Sequence, residues 1–480
     1  MVKLYSTLAR TKLNFVPLKE GSVKIYACGI TPYDEIHIGH ARQAVVYDII
    51  RNYFEYLKFE VTYVRNFTDV DDKIIRRAND EGRESSQISR HYIKENSEDL
   101  RRLKVRAATH EPKVTECMDA IIAMIGRLVD GGYAYVNNGE VFFAISKFKD
   151  YGKLSNRKKE ELINAEDSPN KKDNADFCLW KPHKEGEPYW ESPWGRGRPG
   201  WHIECSAMAH KFLGDTIDIH GGGIDLIFPH HENEIAQSEA HSGKAFAKYW
   251  LHNGLVMLNG SKMSKSTGNF MTIKDALKIY FPEELRYAIL VQNYGSNIDF
   301  SRELFTNARK RLYYFYSTLA KINAFTGPRG PGAPDAAPPK VRDLEKNFSE
   351  FMDDNFNTPK VISELADVFK ELNKLAGSKN HTAEEKAAVF GLFRRGFRNI
   401  TQVLRLFEED PEEYISALKA RFLAEKNIDT ALVAGRIEEL RTAKAGKNYE
   451  KADSVKRELA GLGIKLLERS DSVDWEILFE

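Results

Sequence analysis

No run of about 18 apolar residues occurs in this 480-residue chain, so it offers no segment that could cross a bilayer as a helix, and no membrane partner is expected. Cysteine is scarce: Cys28, Cys117, Cys178 and Cys205 are the four present. Thiols so widely spaced do not make the dense disulfide framework of a small secreted domain. They leave two readings, reduced thiols or metal ligands brought together by folding. Excess charge of either sign is also missing, with a formal net charge of +1. An RNA partner would therefore have to use a local basic face. The opening residues, Met1-Val2-Lys3-Leu4-Tyr5, carry neither an apolar signal core nor an Arg/Ser-rich presequence, and a cytoplasmic location is expected.

What is present is ordinary globular composition, 42% hydrophobic and 29% charged. The length exceeds one compact core and implies two to four domains. Val23 to Cys28 alternates like a strand, Ala41, Val45, Val46, Ile49, Ile50, Tyr53 and Phe54 recur at helical spacing, and Phe59 to Val64 reads as a second strand. Strand, helix, strand predicts a βαβ unit and a parallel sheet. Residues 119–214 interrupt that rhythm. Within them, Asn137-Asn138-Gly139 between two apolar runs marks a hairpin. The rhythm resumes at Ile217-Asp218-Ile219. The expected fold is α/β, with a Rossmann-like parallel-sheet domain (1–118 and 215–300), an insertion (119–214), an all-helical part (301–428) and a small terminal unit (429–480). Gly327 to Pro339 reads as a loop or linker.

His37-Ile38-Gly39-His40 falls between the first strand and first helix, where parallel sheets bind ligands. Imidazoles there could stabilise charge on a phosphoryl centre, and Gly39 would let a flat base approach the backbone. Alone, these four residues read rather as two exposed histidines in a turn. Lys262-Met263-Ser264-Lys265-Ser266 follows the last apolar strand, and two ammonium groups on a loop suit a polyphosphate. Together, in this order, the two strings resemble the signatures of class I aminoacyl-tRNA synthetases.

Cys28, Cys205, His230 and Glu234 make a plausible zinc set, with His230 and Glu234 one helical turn apart. A metalloprotease would require His-Glu-x-x-His, but Ile235 stands where the second histidine is needed. Five longer strings decide between families: Cys28-Gly29-Ile30-Thr31, the run Arg65 to Lys73, Gly200-Trp201-His202-Ile203-Glu204-Cys205-Ser206, Asp218-Ile219-His220-Gly221-Gly222-Gly223, and the run Phe228 to Glu234. They resemble cysteinyl-tRNA synthetases over essentially the whole chain.

That resemblance implies adenylation of L-cysteine with ATP and its transfer to tRNA(Cys) by a monomer. It implies one Zn2+ per subunit on Cys28, Cys205, His230 and Glu234, and Mg2+ with ATP. It assigns His37, His40, Lys262 and Lys265 to catalysis, with Ile30, Gly39 and Asp225 joining them at ATP. Trp201, His220, Thr31 and Thr68 are assigned to cysteine. The metal suits the task, because an apolar pocket rejects a near-isostere such as serine only about 10²-fold, whereas zinc with soft ligands favours a thiolate. No separate editing domain is expected. Four protein ligands usually mark a closed zinc site, so a substrate sulfur must add a fifth ligand or displace a weak one, with Glu234 the candidate. Cys117 and Cys178 match no ligand position.

The second half resembles the family's stem-contact and anticodon-side domains. Thr358-Pro359 reads as a helix start. Arg441, Lys444, Lys447, Lys451, Lys456 and Arg457, with Tyr449, suit either an RNA-facing basic helix or a solvated charged one. Two other classes stay open: a ligase joining cysteine to a small amine, and a non-catalytic zinc- and RNA-binding paralogue.

Overall fold

The computed structural model describes residues 1–157, 168–262, 269–325, 337–468 and 473–479. The apolar runs Ser22–Ile30 (β1), Glu60–Phe67 (β2), Ile217–Gly223 (β3) and Ala247–Asn253 (β4) pair in the order β4-β3-β1-β2, all parallel. Every residue of β3 is buried, as a parallel strand covered on both faces requires. Helix α1 (Ile38–Tyr56) connects β1 to β2 and buries Ala41, Val45, Val46, Ile49, Ile50, Tyr53 and Phe54, the positions its periodicity marks. Both predicted strands run longer than the apolar pattern suggests: β1 reaches Ile30 and β2 reaches Phe67.

The insertion folds as a four-stranded antiparallel sheet of Ala134–Asn137, Glu140–Phe143, Phe177–Pro182 and Gly197–Pro199. Asn138 and Gly139 both take positive φ, 51° and 78°, the two-residue turn that Asn-Gly favours. Helices α2 (Trp201–Leu213) and α3 (Glu232–Ser242) follow. Although α2 lies in the predicted insertion, it packs against β1 and β2. Its Ile203, Cys205 and Met208 share one buried core with Tyr26 and Cys28 of β1 and with Phe143, Phe177 and Trp180 of the insertion.

Gly221 shows how tightly the sheet is drawn together. A Cβ there would lie 1.8 Å from the Leu251 carbonyl oxygen and 2.0 Å from the Tyr47 hydroxyl. Neither backbone strand nor buried phenol can retreat. Gly221→Ala is expected to cost about 1–3 kcal/mol or more, seen as a lower thermal midpoint; an unchanged midpoint would contradict this packing.

The chain divides into two compact units. One comprises Met1–Phe305, Asp343–Leu365 and Gly396–Leu406; the other comprises Thr306–Arg342, Ala366–Arg395 and Phe407–Glu480. The second is mainly helical, as expected. It adds one hairpin, Ile464–Glu468 with Val473–Ile477, that helical periodicity does not contain. Leu423, Val433, Leu440, Val455, Leu459 and Ile464 form the core of its terminal part. The basic stretch is two helices, Thr430–Ala445 and Tyr449–Gly461, separated by a turn in which Lys447 has φ 57°. Part of its charge is used internally: Lys451 pairs with Glu439 at 2.8 Å and Arg441 with Glu438 at 3.3 Å. Tyr449 is 66% exposed. Thr358 begins a helix as predicted, but its hydroxyl donates to the Leu290 carbonyl at 2.8 Å. Most of the predicted linker, 327–336, lies outside the described residues. Among the described residues no helix is long and apolar enough to cross a membrane.

Candidate functional site

The carboxyl ends of β1, β2 and β3 open into a cavity of about 430 Å³. Its walls include Cys28, Ile30, Thr31, His37, Gly39, His40, Thr68, Trp201, Cys205, Asp225 and His230. Residues that sequence patterns assigned to phosphate, metal and amino acid thus meet in one space. His220 and Glu234 lie fully buried behind it. Lys262 ends the short strand Ser261–Lys262, which pairs with Val256–Leu258. Its side chain, and Lys265 with its neighbours 263–268, lie outside the described residues.

One wall of the cavity is built on the start of α1. His37 is the N-cap: its Nδ1 accepts the Gly39 N–H at 3.0 Å, and His40 Nδ1 reaches back to the His37 N–H at 3.4 Å. The two rings stack with centroids 3.8 Å apart. Capping therefore fixes both imidazoles at the positive end of the helix, a setting that favours anions. Opposite them, the loop after β4 is pinned by the fully buried Arg42 of α1. Its guanidinium donates to the carbonyls of Gly254 at 2.8 Å, Leu255 at 2.9 Å and Tyr294 at 3.1 Å, and to Ser296. Burial with no carboxylate partner lowers its pKa to about 10, which still leaves it charged at neutral pH.

The metal side forms where β1 ends against α2 and α3. One donor atom from each of Cys28, Cys205, His230 and Glu234 lies within 4.8 Å of the others, and all four residues are buried. Glu234 Oε1 accepts from the Cys28 thiol at 3.1 Å and lies 3.0 Å from His230 Nε2. Its Oε2 lies 2.7 Å from His220 Nε2. The contact with Cys28 holds the Cys205 thiol down to about 6 despite burial. Burial pulls the His230 imidazole down, but Glu234 and Cys205 outweigh it and raise the pKa to about 10. Burial opposes ionisation of Glu234, yet His220 and His230 hold its carboxyl well below its usual range. An acidified thiol and a carboxylate thus converge, both buried. Two sulfurs, an imidazole and a carboxylate fit zinc or a similar borderline-soft cation.

A second donor set, Cys28, His220, His231 and Glu234, meets the same distance limit. It shares two residues with the first, holds one thiol instead of two, and engages His231 Nδ1 with His252 Nε2 at 2.8 Å. The softer set is the better match to zinc. His231 was passed over in the sequence, although it adjoins His230. His202 was passed over as well: its Nδ1 lies 3.0 Å from His230 Nδ1, leaving Nε2 of His230 toward the cluster. Its place three residues before Cys205, on one face of α2, was the available signal.

Trp201, 38% exposed, stacks on His230 with centroids 4.2 Å apart and roofs the metal side. His220 is stacked on Trp250 at 4.5 Å and forms part of the floor. The Thr68 hydroxyl donates to Glu204 at 2.9 Å, and Glu204 is another residue that sequence patterns did not single out. Burial pushes the Glu204 carboxyl well up. Gly29 permits the close approach of β1 to β2: a Cβ there would lie 1.6 Å from the Asn66 carbonyl oxygen. Cys117 and Cys178 are buried and belong to neither donor set.

Residues 14–310 match the family described as tRNA synthetases class I (C) catalytic domain, and residues 347–408 match the DALR domain. A cysteine--tRNA ligase of Geobacter sulfurreducens is 45% identical over 482 residues, covering 99% of both chains. This chain belongs to the cysteinyl-tRNA synthetase family. A further cysteine--tRNA ligase, of Thermodesulfovibrio yellowstonii, is 43% identical with the same coverage. Methionyl-tRNA synthetase of Mycobacterium tuberculosis, solved with methionyl-adenylate, has a similar fold, with TM-score 0.60 at 15% identity over 80% of this chain and 92% of that one. The synthetase is thus a ligase of protein synthesis with the class I architecture, and its Cys28–Cys205–His230–Glu234 cluster is able to hold a metal.

Proposed function

We propose that this cavity adenylates L-cysteine and passes it to the 3′ end of tRNA(Cys), with one Zn2+ per subunit on Cys28, Cys205, His230 and Glu234, and Mg2+ entering with ATP. Cysteine–tRNA ligation, with ATP, cysteine and tRNA as substrates, is the reaction of the family to which the chain belongs. The observation that carries the zinc assignment is the closure of four buried donors, two of them thiols, within 4.8 Å at the floor of the cavity. When bound, zinc would take the substrate's sulfur as a thiolate, a bond that the oxygen of serine matches poorly.

The chain's own residues do the rest. Trp201 and His220 shape the space around the side chain of cysteine. Thr68 spends its proton on Glu204, so its oxygen lone pairs suit the substrate ammonium, and Thr31 joins it at that end. His37, Gly39 and His40 receive the phosphates at the start of α1, with Ile30 and Asp225 toward the nucleoside. The carboxylate of cysteine attacks the α-phosphorus and pyrophosphate leaves. Lys262 and Lys265 neutralise the charge that develops on the phosphates. A hydroxyl of the terminal ribose of tRNA then attacks the carbonyl carbon, and AMP leaves. A cytoplasmic monomer completes this reading, on family resemblance.

ATP–pyrophosphate exchange, run with each amino acid separately on zinc-loaded protein, tests it. Exchange with cysteine alone is expected; none with any amino acid would overturn it. Lys265→Ala should slow adenylation far more than it weakens cysteine binding, because its charge acts in the transition state. Equal losses in both would refute that role.

A further inference from the structure

Behind Glu234 lies a line of buried polar groups that the reaction above leaves unused. Thr7 Oγ1 is 2.7 Å from His252 Nδ1, and His252 Nε2 is 2.8 Å from His231 Nδ1. At the far end His231 Nε2 has no hydrogen-bond partner and faces Glu234 Oε1 at 3.9 Å. His231 is wedged there: Gly222 could not take a side chain without bringing its Cβ to 3.3 Å from His231 Cε1, and the Trp250 ring lies 5.5 Å away.

The 2.8 Å contact between His231 Nδ1 and His252 Nε2 holds one proton between two ring nitrogens, and an imidazole that accepts on one nitrogen carries its proton on the other, so this line has two settings. In the first, the Thr7 hydroxyl donates to His252, His252 Nε2–H donates to His231 Nδ1, and an N–H of His231 is left pointing at Glu234. In the second, every donor reverses and a lone pair faces the carboxylate. An ionised carboxylate accepts and cannot donate. In a buried setting, the repulsion of lone pair and carboxylate selects the first arrangement.

Glu234 has need of that N–H. Two of its present partners, Cys28 and His230, are themselves expected to turn their lone pairs to a metal, which removes the protons they offer. His220, at 2.7 Å, and His231 are the nitrogens left facing the carboxylate. A donor that holds a metal-binding carboxylate from behind sets how firmly that carboxylate serves its metal.

We propose that Thr7, His252 and His231 form a positioning chain that fixes the Nε2–H of His231 toward Glu234, and thereby sets the metal affinity of the cluster and the enzyme's hold on cysteine. This rests on Glu234 being a metal ligand.

The test uses full-length Thr7→Val, His252→Leu and His252→Gln. Two quantities are read: the zinc dissociation constant, by competition with a chromophoric chelator, and the KM for cysteine and for ATP in pyrophosphate exchange. His252→Leu should weaken zinc binding about 10- to 100-fold and raise KM for cysteine, with KM for ATP unchanged. His252→Gln, whose carboxamide can accept from Thr7 and donate to His231, should recover most of the loss. Thr7→Val, a nearly isosteric change at a half-buried position, should move both constants the same way by less, and it serves if His252→Leu does not fold. Parent-like constants in Thr7→Val and His252→Leu, or His252→Gln as impaired as His252→Leu, would reduce the chain to packing and overturn the proposal. Parent protein that binds no zinc would instead overturn the ligand assignment, and the proposal with it.

Discussion

Cys205→Ser should lower bound zinc and remove most cysteine activation. Structural zinc sites bind with about 10–16 kcal/mol shared over four ligands, so loss of one thiolate should cost roughly 10²–10³-fold in affinity. The site also loses charge: Cys205 is the thiol held down to about 6 by its contact with Cys28 and by His230, whereas a serine hydroxyl there stays neutral. The preference for cysteine over serine should then fall toward the roughly 10²-fold limit of pocket shape alone. Metal content by atomic absorption, with exchange rates for both amino acids, reads the two effects separately. Full zinc occupancy in the variant would transfer the ligand role to the overlapping set that holds His220 and His231.

Arg286→Met should be among the most destabilising single changes in the first unit, and for a reason unrelated to chemistry. Arg286 and Asp48 are each 1% exposed and pair at 2.6 Å. The Arg286 guanidinium also donates to the carbonyls of Leu404 at 2.7 Å and Leu103 at 3.0 Å. Asp48 accepts further from the Arg106 backbone N–H at 3.2 Å and from Asn52 at 3.3 Å. Removing the cation leaves two carbonyls without their donor and a buried carboxylate whose remaining cation, Arg106, stands 3.9 Å away. Breaking a buried pair in this way costs about 3–5 kcal/mol. The double variant Arg286→Met, Asp48→Asn should recover part of that loss, because no charge is left stranded. Thermal melting of the single and double variants decides it. A single variant as stable as the parent, or a double no better than the single, would refute the account.

Much of the site was legible because class I chemistry is carried by short contiguous strings. His37 to His40 caps a helix, so local spacing alone sets where its imidazoles point. His230 and Glu234 share a face of α3 because they are four apart. The Asn-Asn-Gly turn and the periodicity of α1 are likewise local properties, and the structure reproduces them. What stayed hidden was non-local. His252 reaches His231 only because β4 pairs with β3, and Arg42 finds the carbonyls after β4 only once α1 lies across the sheet. Residues 201–213 fall within the stretch expected as the insertion; that they form a helix buried against β1 and β2 depends on contacts across more than a hundred residues. The terminal hairpin was missed because two five-residue strands carry little periodic signal beside long helices.

The sequence by itself determined the family and the reaction class, since residue type and spacing dictate which donors and cations are available. Only the tertiary structure decided that Cys28, Cys205, His230 and Glu234 close on one buried point, that a second donor set overlaps it, and that His231 and His252 stand in line behind it. Distances between residues far apart in the chain are fixed by strand order and packing, and no local pattern encodes them.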